Sequence, residues 1–383
     1  MIELPRVGSR IVDSEIARLR ASGREVLPVT AYPDRPLPDT VLEVIQKAAR
    51  KMEHAPSQGL LELREAIGAR LTRELAVSVE SGEIVVTSGA MDALNIVFNA
   101  LLDPGDEVLI FSPCFFFEGL IRLARGKVKY IGLDERNRYA LDMEKLQDSI
   151  SPRSKALLLT TPNNPTGHVA SDEELKAIAE MAQRWDLWVV VDESYDRLIY
   201  DGNRHRSILS VPGMKERTVL IRSFTKSFCM ADWRVGYLVC PLAIVESCVE
   251  VLEWRVLYNN SLSQKVAATV LQMSDGWLSD VAAEFEHSRD LMLEGIEKSE
   301  QLHAVKPDGG PFLFVNMEKL NLPCEVFSQR LLYEFGIPTT PGCWHQECHH
   351  FRLAFGGARE TLFQVVQRLE EAAARQAQGG GKQ

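Results

Sequence analysis

The sequence predicts an α/β protein: a mostly parallel seven-stranded sheet sandwiched by helices, with a smaller α+β domain drawn from both chain ends. Three observations carry that prediction. Between about residues 80 and 240, short β-branched runs alternate with helix-length amphipathic segments, the pattern of a parallel sheet covered on both faces. The 383 residues suit two packed domains, at roughly 150 residues per domain. Hydrophobic residues make up 45% and charged residues 25%, a globular composition.

Seven strands are expected in order: Ile84–Thr87, then residues 107–111, 128–131, 156–160, 187–192, 219–222 and 236–240. The last directly follows the most polar loop of the region and is expected at the sheet edge. A helix over residues 90–102 places Leu94, Val97, Phe98 and Leu101 at helical spacing. Another starts at Ser171-Asp172-Glu173-Glu174, where Ser171 caps the backbone and Glu174 reaches back in a capping box. Its buried face is Leu175, Ile178, Ala179 and Ala182. Beyond about residue 279 comes a long helix to about 302, then short strands and helices ending near 374. The division that follows is a large domain over 41–280 and a small one from 1–40 and 281–383.

A net charge of -10 with no long basic stretch removes the electrostatic attraction that nucleic-acid binding needs. Seven cysteines, scattered through or beside apolar runs such as Cys229, Cys240 and Cys248, read as reduced thiols and point to the cytoplasm. Met1-Ile2-Glu3-Leu4-Pro5-Arg6 lacks the apolar stretch of a signal peptide, and no run is apolar enough to span a membrane. The tail from Gly379 to Gln383 reads as frayed.

Ligands of open α/β sheets sit at the carboxyl ends of the strands, so polar residues after each run are the candidates for chemistry. Four places stand out: Ser88-Gly89-Ala90-Met91, Thr161-Pro162-Asn163-Asn164-Pro165-Thr166-Gly167, Asp192-Glu193-Ser194-Tyr195 and Ser223-Phe224-Thr225-Lys226-Ser227-Phe228. Singly, each has a bland explanation: a turn, a cap or a solvated lysine. Jointly they offer a carboxylate, an amide, a phenol, an amine and hydroxyls around one crevice, which suits an aromatic, phosphorylated cofactor.

The lysine run, with Arg234 eight residues after Lys226 and Gly236 two beyond, resembles the lysine signature of the fold-type-I pyridoxal-phosphate (PLP) enzymes of the class I/II aminotransferase family. Asn164 in Asn-Asn-Pro-Thr-Gly, Asp192 and Tyr195 in Asp-Glu-Ser-Tyr, and Arg352 in Phe-Arg-Leu-Ala-Phe match that family's other motifs, in order, over nearly the whole chain.

The resemblance implies the PLP-dependent transferase fold and a homodimer. Lys226, Asp192 and Tyr195 become catalytic: Lys226 carries pyridoxal 5'-phosphate as a Schiff base and moves protons, and Asp192 pairs with the pyridine nitrogen. Asn164 and Tyr195 bond the ring's phenolic oxygen. Gly89, Ala90 and Met91 at a helix start, with Ser223, Thr225 and Arg234, cradle the phosphate. Phe115 lies against the ring. Arg352, with Asn164 and Ala31, takes the substrate, the arginine holding an alpha carboxylate in a bidentate pair. The implied reaction is transfer of an amino group from an alpha-amino acid to a 2-oxo acid.

Several positions depart from the family pattern. Ala31, in Ala31-Tyr32-Pro33-Asp34, stands where a glycine is usual. His54 stands where many relatives carry a tyrosine that reaches a neighbouring subunit's phosphate. These departures motivate an alternative, a PLP-dependent lyase, decarboxylase or cyclase in specialised biosynthesis. The segment Cys343-Trp344-His345-Gln346-Glu347-Cys348-His349-His350 invites a zinc reading. Its irregular spacing argues against one, so no metal is expected, and Trp344 and His345 are read as lining the substrate pocket.

Overall fold

The computed structural model describes residues 4–5, 8–33, 36, 38–50, 54–273 and 276–379. Asp34, residues 1–3 and 6, and the tail from Gly380 onward lie outside the described residues.

Seven strands form the larger sheet: β1 (Ile84–Thr87), β2 (Glu107–Ser112), β3 (Lys127–Gly132), β4 (Ser154–Thr160), β5 (Trp188–Asp192), β6 (Thr218–Ser223) and β7 (Gly236–Val239). Their order is β1-β7-β6-β5-β4-β2-β3. The pairs from β3 through β6 are parallel, whereas β7 runs antiparallel to both β6 and β1. The expected edge position of β7 is thus corrected: it lies inside the sheet, and β1 and β3 are the edges.

Strand alternation gives the sheet two apolar faces. Ala156 and Leu158 of β4, with Val190 and Ile221, pack against helices Ala90–Leu101 and Leu242–Val256. Leu157 and Leu159, with Val189, Val191 and Leu220, pack on the other side against Leu61–Leu75, Asp172–Arg184 and Ser261–Leu271. The helix at Asp172 starts as the sequence predicts. Ser171 Oγ accepts from Glu174 N–H at 3.2 Å, and Glu174 accepts from Ser171 N–H at 2.7 Å.

A second sheet is antiparallel throughout, with order β10-β11-β9-β8: β8 (His303–Ala304), β9 (Phe312–Asn316), β10 (Thr340–Pro341) and β11 (His350–Ala354). Helices Gly276–Glu297 and Arg359–Gly379 cover it, the first ending short of the expected residue 302. Tyr195, Leu198 and Tyr200, from the chain just after β5, join this second core. Fully buried Arg289 reinforces the join, reaching Asp201 at 2.8 Å and lying 4.8 Å from the Tyr200 ring centre. No helix among the described residues is long and apolar enough to cross a membrane.

The cysteine expectation needs one correction: Cys343 and Cys348 are joined as a disulfide, while Cys240 and Cys248 are buried thiols. Five residues of separation and a Cα–Cα distance of 4.1 Å put the two sulfurs within reach of each other. Sequence spacing alone did not distinguish this pair from the rest.

Candidate active site

Three adjacent parallel strands, β4, β5 and β6, deliver their carboxyl ends to one crevice, and a short helix from Phe224 to Ser227 holds Lys226 there. Ser223 caps that helix, its Oγ accepting from Thr225 N–H at 3.2 Å. Lys226 Nζ donates to the Ala31 carbonyl at 3.4 Å and sits 3.3 Å from the centre of the Tyr32 ring. Burial, helped by the positive charges of Arg352 and Arg234, pushes its pKa well below the ordinary lysine value. The shift favours the uncharged, nucleophilic form of the amine.

Asp192 ends β5 and is buried. Its Oδ1 accepts twice from Ser194, from N–H at 3.0 Å and from Oγ at 2.5 Å. Burial raises its pKa, with the Ser194 bonds pulling the other way. A buried carboxylate of this kind calls for a cationic partner at its second oxygen.

Tyr195, Asn164 and Arg352 form one hydrogen-bonded chain. Arg352 Nη1 donates to Asn164 Oδ1 at 2.8 Å, and Asn164 Nδ2 donates to the Tyr195 hydroxyl at 3.3 Å. Arg352 projects from the middle strand pair of the second sheet, with its guanidinium 4.2 Å from the Phe312 ring centre. Burial lowers its pKa to about 10. Both sheets thus contribute to a single crevice, although Asn164 and Arg352 stand 188 residues apart.

The phosphate-type pocket forms where β1 meets the helix starting at Ala90. Gly89 has φ +92°, and a β-carbon there would lie 2.5 Å from the Arg234 guanidinium. Arg234 donates to the Ser88 carbonyl at 2.9 Å and to Thr225 Oγ1 at 3.4 Å, and Ser223 Oγ donates to Thr225 Oγ1 at 2.9 Å. Gly236 closes the back of the pocket; a β-carbon on it would come within 2.8 Å of the Gly89 Cα. Helix-start amides at Gly89, Ala90 and Met91, two hydroxyls and a guanidinium are the donor set that a phosphate monoester requires. The residues present fit pyridoxal phosphate.

Other expected residues fall in varied places. Half-buried Phe115 packs on Phe116 and Phe117 at 4.8 and 5.5 Å between ring centres. Exposed His54 meets the Tyr258 ring edge-on at 5.1 Å. Trp344 lies flush against Gly8, where a β-carbon would fall 2.1 Å from the indole. His345 does not line the crevice as expected. It is fully buried, stacked on Phe116 at 4.9 Å, with Nδ1 2.9 Å from the Cys114 carbonyl.

Of the other two histidines in that segment, His350 turns instead to Tyr139 and Glu135, at 3.1 and 3.3 Å. Cys324, Glu325 and Cys343 bring ligand atoms within 4.8 Å of one another, but the Cys343 sulfur is committed to Cys348. Sequence reasoning missed Ser194, which holds Asp192, and Phe312, which backs Arg352. A serine two residues after a strand-end aspartate was the available signal for the first; the second had none.

A lysine, an aspartate, a tyrosine-asparagine pair and an arginine around a phosphate-type pocket on this doubly covered sheet define a PLP-dependent transferase. The family model "Aminotransferase class I and II" matches residues 26–369, and the chain belongs to that family. It is 32% identical to the probable aspartate/prephenate aminotransferase of Thermus aquaticus, over 94% of this chain and 95% of that one. Identity to aromatic-amino-acid aminotransferase 2 of Thermococcus litoralis is 30%, over 88% and 89%. Among solved structures, the aspartate aminotransferase of Thermus thermophilus with maleate superposes with a TM-score of 0.92 at 30% identity, covering 96% of this chain and 97% of that one. The chain is an aminotransferase.

Proposed function

We propose that this aminotransferase holds pyridoxal 5'-phosphate at Lys226 and moves an amino group from an alpha-amino acid to a 2-oxo acid in the crevice between the two sheets. The observation that carries the reading is the Lys226 amine, buried 3.4 Å from the Ala31 carbonyl and facing the chain from Tyr195 through Asn164 to Arg352. When bound, the cofactor supplies an electron sink for charge at the substrate alpha carbon.

The chain's own residues do the rest. Lys226 Nζ, its pKa depressed by burial, moves a proton away from the substrate alpha carbon in the donor half of the reaction and delivers one to that position in the acceptor half. Asp192 holds positive charge opposite its second oxygen. Gly89, Ala90, Met91, Ser223, Thr225 and Arg234 fix the phosphate, and Phe115 backs the ring. Arg352 takes the alpha carboxylate, with Asn164 keeping its guanidinium in plane and the Ala31 backbone closing the near wall.

Purified protein loaded with pyridoxal phosphate is expected to show the visible absorbance band of a lysine-bound cofactor. An amino-acid donor should discharge the band and a 2-oxo acid restore it. Aspartate and the aromatic amino acids, which name the relatives' activities, head the donor panel. A band that no donor discharges would sink the reading. Release of ammonia or carbon dioxide without an acceptor would replace transfer by elimination or decarboxylation.

The same reading places the protein in the cytoplasm as a homodimer, with a large domain over 41–280 and a small one from the two ends. Trp254, Leu257 and Tyr258, the last beside His54, are large apolar side chains left exposed in the single chain, which a second copy would cover. Sedimentation of the purified protein tests the dimer.

A further inference from the structure

A buried polar network lies behind the crevice, and each of four members is the sequence neighbour of a site residue. Glu193 follows Asp192, Asp196 follows Tyr195, Arg222 precedes Ser223 and Ser227 follows Lys226. On extended backbone, consecutive side chains face opposite ways, so Ser223 faces the crevice while Arg222 faces the network.

The contacts are close. Ser227 Oγ donates to Asp196 Oδ1 at 2.7 Å. The other oxygen of Asp196 meets Arg222 Nη1 at 3.0 Å and Arg197 Nε at 3.5 Å. Arg222 also donates to Glu193 Oε2 at 2.9 Å and to Glu74 Oε2 at 3.2 Å. Glu74 is held in turn by Arg70 at 2.7 Å and by Arg197, while His205 Nε2 lies 3.1 Å from Glu193 Oε2. Side chains of Glu193, Asp196 and Arg222 are between 0% and 7% exposed, so water screens the bonds among these three poorly.

We propose that Asp196, clamped by Arg222 and bonded to Ser227, is a positioning residue that sets the distance between the Lys226 amine and the Tyr195 hydroxyl. Ser227 Oγ ties the lysine helix to both neighbours of Tyr195 in the turn after β5, closely to Asp196 at 2.7 Å and more loosely to the Ser194 carbonyl at 3.4 Å, and Ser227 is itself one residue from Lys226. The strands alone do not fix this spacing: β5 and β6 pair only as far as Asp192 and Ile221, before either group is reached. The inference rests on the proposed role of Lys226.

The test uses the cofactor-loaded enzyme and the pH titration of its visible absorbance, which reports the surroundings of the lysine nitrogen rather than global stability. Ser227→Ala removes one hydroxyl and no charge, so the fold survives it. It is expected to displace the apparent pKa of that titration by about half a unit and to lower kcat ~10-fold, as a small misplacement at a reacting centre does.

Asp196→Ala, which removes the acceptor, should shift the same titration, and the double variant should shift it no further than the larger single change, because both break one linkage. A Ser227→Ala titration superimposable on the wild type, or fully additive shifts in the double variant, would overturn the inference. A wild-type protein without any lysine-bound band removes the Lys226 reading and this inference together; an intact band that Ser227→Ala leaves unmoved removes this inference alone.

Discussion

Burial depresses the Lys226 amine in the folded chain, and that has a thermodynamic consequence in the cofactor-free protein. The unfolded chain keeps the lysine protonated up to its ordinary value of about 10.4. The folded chain gives the proton up at a lower pH, because burial depresses the amine well below that value. Unfolding therefore takes up a proton, and stability rises with pH from the depressed folded value to about 10.4. Lys226→Met should make the apoprotein more stable at pH 7, with the advantage shrinking as pH climbs toward 10. Thermal melts of both proteins across that range check it; a constant difference would contradict it.

Arg352 gives the second expectation at this scale. Its fork matches a carboxylate in a way that an ammonium does not, so Arg352→Lys should lower kcat/KM roughly 100-fold. The cofactor's absorbance band should stay in place. Asp192, Lys226 and Arg352 were all readable from their motifs. Asp196 and Arg222 were not, since a charged residue beside a strand end looks solvated until the strands bury it.

Among the elements, the helix beginning at Asp172 was the most legible, because its start signal is chemical and local. Ser171→Ala should cost ~1 kcal/mol, measurable by denaturant unfolding at pH 7. Glu174 does more than close the capping box. It also accepts from Leu141 N–H at 2.6 Å and contacts His168 at 3.0 Å, so despite burial, which acts upward, its pKa falls to about 2. The stability it adds is complete above the ordinary carboxylate range and disappears as pH falls through about 2. Glu174→Gln should consequently weaken the protein at pH 7 and cost progressively less below pH ~4.

The strand β7 shows where local reading stops. Its apolar run was visible, but a run carries no record of its partners. Its interior position comes from lying antiparallel to β6 and β1 at once, with Gly236 packed on Gly89. The long helix ending at Glu297 was drawn to residue 302 because nothing as specific as a proline or glycine marks its end.

At the scale of the molecule, the two sheets meet around the crevice, and Arg289 is a principal bolt between them. Arg289→Leu leaves Asp201 and Lys306, 2.8 Å apart, to pair with each other and deprives the Tyr200 ring of its cation. Because Asp201 is exposed and keeps Lys306, a loss of only about 1 kcal/mol is expected from the lost pair, read from chemical denaturation. The sequence announced a sheet and a second α+β region, but not that strand-end residues of the first meet an arginine of the second. Contacts between residues 188 positions apart leave no local trace.

The outermost strand of the larger sheet, β3, begins Lys127-Val128-Lys129 and leaves one side of its backbone unpaired. During synthesis and refolding this rim is where a second unfolded chain would add. Two ammonium groups on the incoming strand's path raise the cost of that addition through charge repulsion and desolvation. The lysines thus guard solubility at a place remote from the chemistry. Replacing both with valine should leave turnover unchanged while increasing light scattering on refolding from denaturant.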